Sequence, residues 1–356
     1  MAHILYYITG HGYGHAVRAS VICNRLDRSH HLTMCTSIPR RFFDEELTRP
    51  FTYRATAFDC GCLQSNAVTV DIDATVDAYK LIADSNAMLL HHEVAWCKEQ
   101  QVSIIIADIT SFAFEVANAA GLPSVAITNF TWYDIYEPYL LKRPDFAPYL
   151  NTIRTQYGYA DVLLALSPAM PMAYFKKRRE MPLLGRIGTT RRRAIAERYA
   201  IDPHKKLALI YLGDFGMSRI NWQALASLTG WHFAGLYAFD DAPDNYTVID
   251  KKEFRYQDII ASVDCMVTKL GYGSVAECFL HGVPVLFTPR NDFAEHPYLL
   301  QAVTQWGHGY SLPATAFEHL QWGPALNSIS LNSKPLPQHS NSTDLCLAEI
   351  EMLLIR

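Results

Sequence analysis

Residues 1–26 read MAHILYYITGHGYGHAVRASVICNRL, and the junction in the middle of this stretch decides the fold. The run His3-Ile4-Leu5-Tyr6-Tyr7-Ile8-Thr9 is short, apolar and β-prone, which predicts a buried strand. From Ala16 to Leu26 the period changes: Ala16, Ala19, Cys23 and Leu26 fall on one helical face. Between them, GHGYGH (10–15) makes a strand-to-helix turn at the carboxyl edge of a first parallel strand, the edge at which open α/β sheets bind ligands. Gly12 and Gly14 permit positive φ and close approach of a ligand. The helix start behind them presents unpaired N–H groups and a positive dipole end to an anion.

The same alternation continues along the chain. HLTMCT (31–36), SIIIADI (103–109), SVAITNF (124–130) and DVLLALS (161–167) read as strands, with helical stretches at 75–100 and from Phe112 to Ala120, the latter stopped by Gly121 and Pro123. Residues 176–193 change character, with KKRRE, a Gly-rich turn and RRR, and read as an inter-domain connection. A second α/β unit follows: LALIYLG (207–213) running into the turn Gly213-Asp214-Phe215-Gly216, then WHFAGLY (231–237), DCMVTKLG (264–271) and VPVLFTP (283–289), with a helix from Val275 to His281. Residues 327–343, rich in Ser, Asn and Pro, read as a loop, and Leu345 to Ile355 as a closing helix. The expectation is α/β throughout: two Rossmann-like doubly wound domains facing a cleft, residues 1–175 and 201–343, with a linker at 176–200 and a terminal helix at 344–356.

Composition narrows the function. The chain has 356 residues, half of them hydrophobic and 19 % charged, enough for two packed cores and too apolar for disorder. A net charge of −4 argues against nucleic acid as the main partner. The eight cysteines include no CxxC pair, and Cys60-Gly-Cys62 is too tight for a zinc half-site, so reduced thiols in a cytoplasmic protein are expected. The first apolar run is short and lacks a basic start, so no signal peptide is expected, and no stretch reaches membrane-span length.

The second unit carries the most specific motif, DCMVTKLGYGSVAECFLHGVPVLFTPRNDFAEHPYLLQAV (264–303). Lys269-Leu-Gly271-Tyr272-Gly273-Ser274 closes a strand and opens a helix. Gly271 and Gly273 bare backbone N–H groups at a helix N-terminus, a place for a diphosphate. This block resembles the nucleotide-sugar-binding region of GT-B glycosyltransferases, and the first loop resembles the glycine-rich loop, ending in His, of the MurG-like and plant UDP-glycosyltransferase groups. Together with FDCGCLQSNAVTVD (58–71) and ADITSFAFEVANAAGLPSVAITNFTWYDIY (107–136), it resembles most closely the N-terminal, glycosyltransferase-like half of plant L-arabinokinases. The likeness runs in order over most of the chain. The kinase half of those proteins has no counterpart in these 356 residues, so sugar-kinase activity is not expected.

The resemblance implies a site. Lys269 stands where plant transferases carry a phosphate-binding His, and an ammonium does that task as a point charge. Glu277, one turn after Gly273, aligns with the Glu that accepts hydrogen bonds from ribose. Phe293-Ala294-Glu295-His296 resembles a segment whose last two residues hold the donor sugar, with one extra residue after Pro289 and His in place of Gln. Tyr256 and Gln257 fall near the expected base. His15 aligns with the base that deprotonates the acceptor, and Asp108, ending IIIAD, with the acid that orients it; an imidazole is suited to that proton transfer near neutral pH. His11 is a second candidate, for phosphate or acceptor.

The implied activity is inverting, metal-independent transfer of a sugar from a nucleotide sugar, most naturally UDP-linked, to an unidentified acceptor, with no cofactor beyond the donor. Two alternatives stay open: a non-catalytic nucleotide-sugar sensor, and a nucleotide-sugar epimerase of the same fold. Asp71-Ile-Asp73 matches a metal-binding DxD string but reads as helix capping. Trp132 and Tyr133, after a strand end, are candidates for the acceptor wall or for packing.

Overall fold

The computed structural model describes residues 1–66, 69–212, 220–290, 293–329 and 342–355. Its first sheet has seven parallel strands. In chain order β1 (His3–Ile8), β2 (His31–Thr36) and β3 (Thr52–Ala55) come before a small antiparallel pair, β4 (Gln64–Asn66) and β5 (Thr69–Val70). The sheet resumes with β6 (Ile104–Asp108), β7 (Ser124–Thr128), β8 (Val162–Leu166) and β9 (Arg178–Met181). The spatial order is β3-β2-β1-β6-β7-β8-β9. Every residue of β1, β6, β7 and β8 is buried, which is why these strands are unbroken apolar runs: helices cover both faces.

The second sheet, also parallel, holds β10 (Lys206–Tyr211), β11 (Trp231–Gly235), β12 (Tyr246–Val248), β13 (Cys265–Lys269), β14 (Val285–Thr288) and β15 (Gly309–Ser311), in the order β12-β11-β10-β13-β14-β15. Strand order reverses between β1 and β6 in the first sheet and between β10 and β13 in the second. Crevices open at such switch points, beyond the carboxyl ends of the strands. His15 follows β1, Asp108 ends β6 in register with Ile8, and Lys269 ends β13, so the topology gathers these residues at the two crevices. The turn expected at 213–216 lies outside the described residues.

The expected linker at 176–200 is corrected in part. Arg178–Met181 pairs with β8 and belongs to the first sheet. As a sheet edge it carries charge, which blocks pairing with another chain, and that charge hid the strand in KKRREM. The segment after it crosses to the second unit: Gly188 N–H donates to His281 Nε2 at 2.8 Å and Thr189 N–H to Asp258 Oδ1 at 2.8 Å. The closing helix, Thr343–Leu354, returns to the first unit. It packs against Tyr13–Arg25, with ion pairs Arg25–Asp344 at 2.8 Å and Arg179–Glu349 at 3.0 Å and a hydrogen bond between His30 Nε2 and Glu351 Oε1 at 3.1 Å. An apolar cluster runs from Ile4, Tyr6 and Ile106 of the first sheet to Leu207, Leu209 and Met266 of the second.

Candidate active site

The glycine turn does what its sequence requires. Gly12 sits at the N-cap of the helix Tyr13–Arg25 with φ +85°, a conformation that favours glycine, and its N–H bonds Gly10 O at 2.9 Å. The helix begins at Tyr13, so Gly14 and His15 lie in its first turn. A Cβ on Gly12 or Gly14 would meet nothing within 4 Å, so the turn borders open space.

Behind it lies a buried polar cluster. His15 is 8 % exposed and Asp108 0 %, with His15 Nδ1 3.0 Å from Asp108 Oδ1. Arg18, one turn along the helix, donates to Asp108 through Nε (2.5 Å to Oδ2) and Nη2 (2.6 Å to Oδ1). It also donates to Asn129 Oδ1 at 2.6 Å and Thr128 Oγ1 at 3.1 Å. Burial pushes the His15 imidazole down and Arg18 adds to this, against the pull of Asp108. Burial pushes the Asp108 carboxyl up, but Arg18 and His15 outweigh it and hold it below its ordinary value. The ring is therefore neutral and the carboxylate charged at neutral pH.

His11 has a different character. Its Nδ1 accepts the Cys62 N–H at 3.2 Å, which leaves the ring proton on Nε2 and makes His11 a donor. Burial, then the charges of His15, Arg290 and Lys269, lower its pKa to about 3. Its ring meets Trp132 edge-on at 5.2 Å and stacks on Phe293 of the second unit at 6.3 Å. Nearby Asp59 is buried, accepts from Thr9 at 2.5 Å and Thr110 at 2.7 Å, and is pushed up by burial.

From the second unit, Gly271 caps the helix Tyr272–His281. A Cβ on Gly271 would meet nothing within 4 Å, and one on Gly273 would touch only Gly14, at 3.7 Å. The two glycine-rich helix starts thus face each other across the domain boundary. Ser274 is half-buried in the same first turn. Tyr272 points away from that gap: it is buried, its OH accepts the Leu184 N–H at 2.9 Å, and the Arg18 guanidinium lies 5.1 Å from its ring.

Glu277 is buried, not an exposed helical carboxylate. It accepts from Arg186 Nε at 2.7 Å and Nη2 at 3.3 Å, while Arg186 Nη1 donates to Glu46 of the first unit at 2.8 Å. Arg186 also lies 5.1 Å from the Tyr256 ring. Arg186, Glu46 and Tyr256, but not Glu277, border a cavity of about 400 Å³ between the units, with Tyr13 and Phe42 on one side and Tyr211, Tyr237 and Lys251 on the other. That volume suits a nucleoside.

Glu295 is buried and accepts from Asn129 Nδ2 at 2.6 Å, across the domain boundary; burial raises its pKa to about 7. His296 folds back on its own loop, with Nε2 accepting the Arg290 N–H at 3.2 Å. One chain of hydrogen bonds therefore runs His15–Asp108–Arg18–Asn129–Glu295.

The Asp71-Ile-Asp73 string resolves as helix capping and ion pairing. Asp71 caps the helix Ile72–Glu99 by accepting the Ala74 N–H at 3.0 Å, and Asp73 pairs with Lys142 at 2.8 Å. Trp132 is fully buried, stacked on Tyr136 at 5.2 Å, whereas Tyr133 is half-buried. Among the described residues no cluster of three His, Cys, Asp or Glu is placed to hold a metal, and no helix is long and apolar enough to cross a membrane. Sequence reasoning missed Arg18, Asn129 and Arg186. Only Arg18 left a signal, its i, i+3 spacing from His15.

Comparison with known proteins agrees with this architecture. Residues 2–147 match the family model described as glycosyl transferase family 1. An L-arabinokinase of Arabidopsis thaliana is 29 % identical over 335 residues, 92 % of this chain and 32 % of the relative. A UDP-N-acetylglucosamine–N-acetylmuramyl-(pentapeptide) pyrophosphoryl-undecaprenol N-acetylglucosamine transferase of Christiangramia forsetii is 28 % identical over 181 residues, 44 % of this chain and 49 % of the relative. The chain thus spans about a third and about half of the lengths of these two relatives. A solved UDP-glucosyltransferase from Polygonum tinctorium superposes with a TM-score of 0.69 at 13 % identity, covering 100 % of this chain and 99 % of that one. The chain has the GT-B glycosyltransferase fold, and its first domain matches glycosyl transferase family 1.

Proposed function

We propose that the protein transfers a sugar, with inversion, from a UDP-sugar to an acceptor hydroxyl, without a metal ion. The observation that carries this reading is the neutral, buried His15 hydrogen-bonded to Asp108 beside two facing helix N-termini. His15 Nε2 takes the acceptor proton as the acceptor oxygen bonds to the anomeric carbon and the bond from that carbon to the diphosphate breaks. Asp108 stabilises the imidazolium formed at Nδ1. The leaving diphosphate gathers negative charge, which the N–H groups around Gly271 and Gly273, together with Lys269, are suited to receive. His11, a neutral Nε2–H donor, is suited to a phosphate or acceptor oxygen. The cavity beside Arg186 and Tyr256 is assigned to the nucleoside, and Glu277, held by the cavity-lining Arg186, to the ribose. Glu295 and His296 are assigned to the donor sugar, Glu295 through the oxygen that Asn129 leaves available.

A thermal-shift panel of UDP-, dTDP-, GDP- and ADP-sugars tests the donor assignment, because a ligand that binds only the folded chain raises its melting temperature. UDP-sugars should give the largest rise. A panel with no shift, or one led by another nucleotide, would overturn the donor assignment.

A further inference from the structure

The dyad carries a third member. Arg18 is 3 % exposed and spends its donors inside the site. Its Nη2 lies 3.0 Å from His15 Nδ1, and Asp108 Oδ1 lies 3.0 Å from the same nitrogen. Nδ1 therefore faces a donor and an acceptor at equal distance, and the ring tautomer decides between them. With the proton on Nδ1, the ring donates to Asp108 and Nε2 keeps a lone pair. With the proton on Nε2, Nδ1 accepts from Arg18 and the ring cannot act as a base at Nε2.

Nη2 carries two hydrogens, and Asp108 Oδ1 at 2.6 Å and Thr128 Oγ1 at 3.1 Å take both, while an unprotonated Nδ1 would set its lone pair against the Asp108 carboxylate at 3.0 Å. The Thr128 hydroxyl donates its own proton to Phe130 O at 2.7 Å, so it is free to accept from Arg18. Asp108, gripped at both oxygens by a guanidinium, stays ionised and can only accept. The remaining pairing is His15 Nδ1–H to Asp108.

We propose that Arg18 is a positioning residue: by committing its own hydrogens to Asp108 and Thr128 and keeping Asp108 an ionised acceptor, it holds His15 in the Nδ1–H tautomer with the Nε2 lone pair directed to the acceptor. This rests on the reading of His15 as the base. Arg18 also acts on the charge of the ring. The groups facing His15 are Asp108 at the end of β6, Arg18 on its own helix, Asp59 beyond β3 and His11 in the glycine turn. His11 is in turn faced by Lys269 and Arg290, and Arg18 is linked through Asn129 to Glu295. Among these, Arg18 opposes an imidazolium, while Asp108 and Asp59 favour it; His11 is neutral. Removing Arg18 thus lets the His15–Asp108 pair keep a proton to higher pH.

The test is ¹⁵N NMR of the His15 ring in the full chain, assigned by difference with His15→Gln. The wild type should show the Nδ1–H tautomer at neutral pH. Arg18→Gln should move the His15 titration upward by roughly one unit or more, the usual effect of one adjacent charge. Arg18→Lys keeps the charge but loses the two-pronged grip, so it should leave the midpoint nearer wild type while mixing the tautomers. The Nε2–H tautomer in the wild type would overturn the proposal, as would folded Arg18 variants with unchanged midpoint and tautomer. If neither variant folds, the wild-type tautomer decides alone. None of these readouts requires sugar transfer. Transfer with an Nε2–H ring would defeat the Arg18 proposal but not the activity, whereas the expected tautomer in a chain that transfers no sugar would defeat the proposed function.

Discussion

Gly273 faces Gly14 across the domain boundary at close to van der Waals distance: a Cβ on Gly273 would lie 3.7 Å from the Gly14 Cα. Each glycine is in the first turn of its helix, so two positive dipole ends point into one gap, an unfavourable pairing that an anion relieves. Gly273→Val should fold, since nothing else lies within 4 Å of its Cβ, but it fills the gap. UDP affinity should fall roughly tenfold or more, the worth of a well-placed helix terminus. Titration calorimetry on a variant with a normal melting temperature checks this, and unchanged affinity would place the diphosphate elsewhere.

Glu277 is buried and its charge is met by Arg186, so removing Arg186 strands Glu277, whereas removing Glu277 leaves Arg186 paired with Glu46. Arg186→Met should destabilise the chain by about 3 kcal/mol, as broken buried pairs do. Arg186→Met with Glu277→Leu should cost less than Arg186→Met alone. Denaturant unfolding of the wild type and these two variants reads this; a double variant weaker than the single one would mean the pair is a net stabiliser. In Glu277→Ala that is still folded, UDP binding should weaken by about 1.5–3 kcal/mol if the carboxylate meets ribose.

How much of this was legible in sequence follows from how local each signal is. β1, β6, β7 and β8 were readable because a strand buried on both faces needs an unbroken apolar run. His15 and Asp108 were singled out through the resemblance to the plant UDP-glycosyltransferases; Asp108 ends a strand and His15 sits in the first turn of the helix that follows another. β9 and β3 were missed: edge strands carry charge and alternate weakly, as RREM and TYRA do. Arg18 was not singled out, because its partner Asp108 lies 90 residues away and only the fold brings the two together. The pairing of Arg186 with Glu277 spans 91 residues and joins a connecting segment to a helix face, and nothing local in either segment marks it.

Glu295 gives a pH signature. Burial raises it from 4.5 to about 7, so between those values the folded chain holds a proton that the unfolded chain has lost. Its contribution to stability is complete below about pH 4.5 and is lost as pH rises through 7. The lowered histidines act oppositely: His11, at about 3, and His15 resist protonation when folded, so their stability contribution is lost as pH falls below 6.5. Comparing wild type with Glu295→Gln cancels the histidines. From pH 5 to 8 the wild type should lose up to about 3 kcal/mol relative to the variant. Denaturation curves at each pH measure this, and parallel profiles would mean Glu295 ionises normally in the fold.

The most direct test of the account is UDP release from UDP-sugars, offered with a panel of hydroxyl acceptors, by wild type, His15→Ala, Asp108→Asn and the double variant. Wild type should release UDP with formation of an inverted glycoside. His15→Ala should lower turnover by roughly 10²–10⁴, the usual share of a general base, while UDP affinity by calorimetry stays near wild type, because the proposal gives the diphosphate mainly to the second domain. Asp108→Asn should also lose activity, and the double variant should be hardly worse than His15→Ala, since both residues serve one proton transfer. Full turnover in His15→Ala, or losses that multiply in the double variant, would contradict the dyad. Tight UDP-sugar binding with no bond cleavage for any acceptor would contradict transfer itself and leave a nucleotide-sugar sensor.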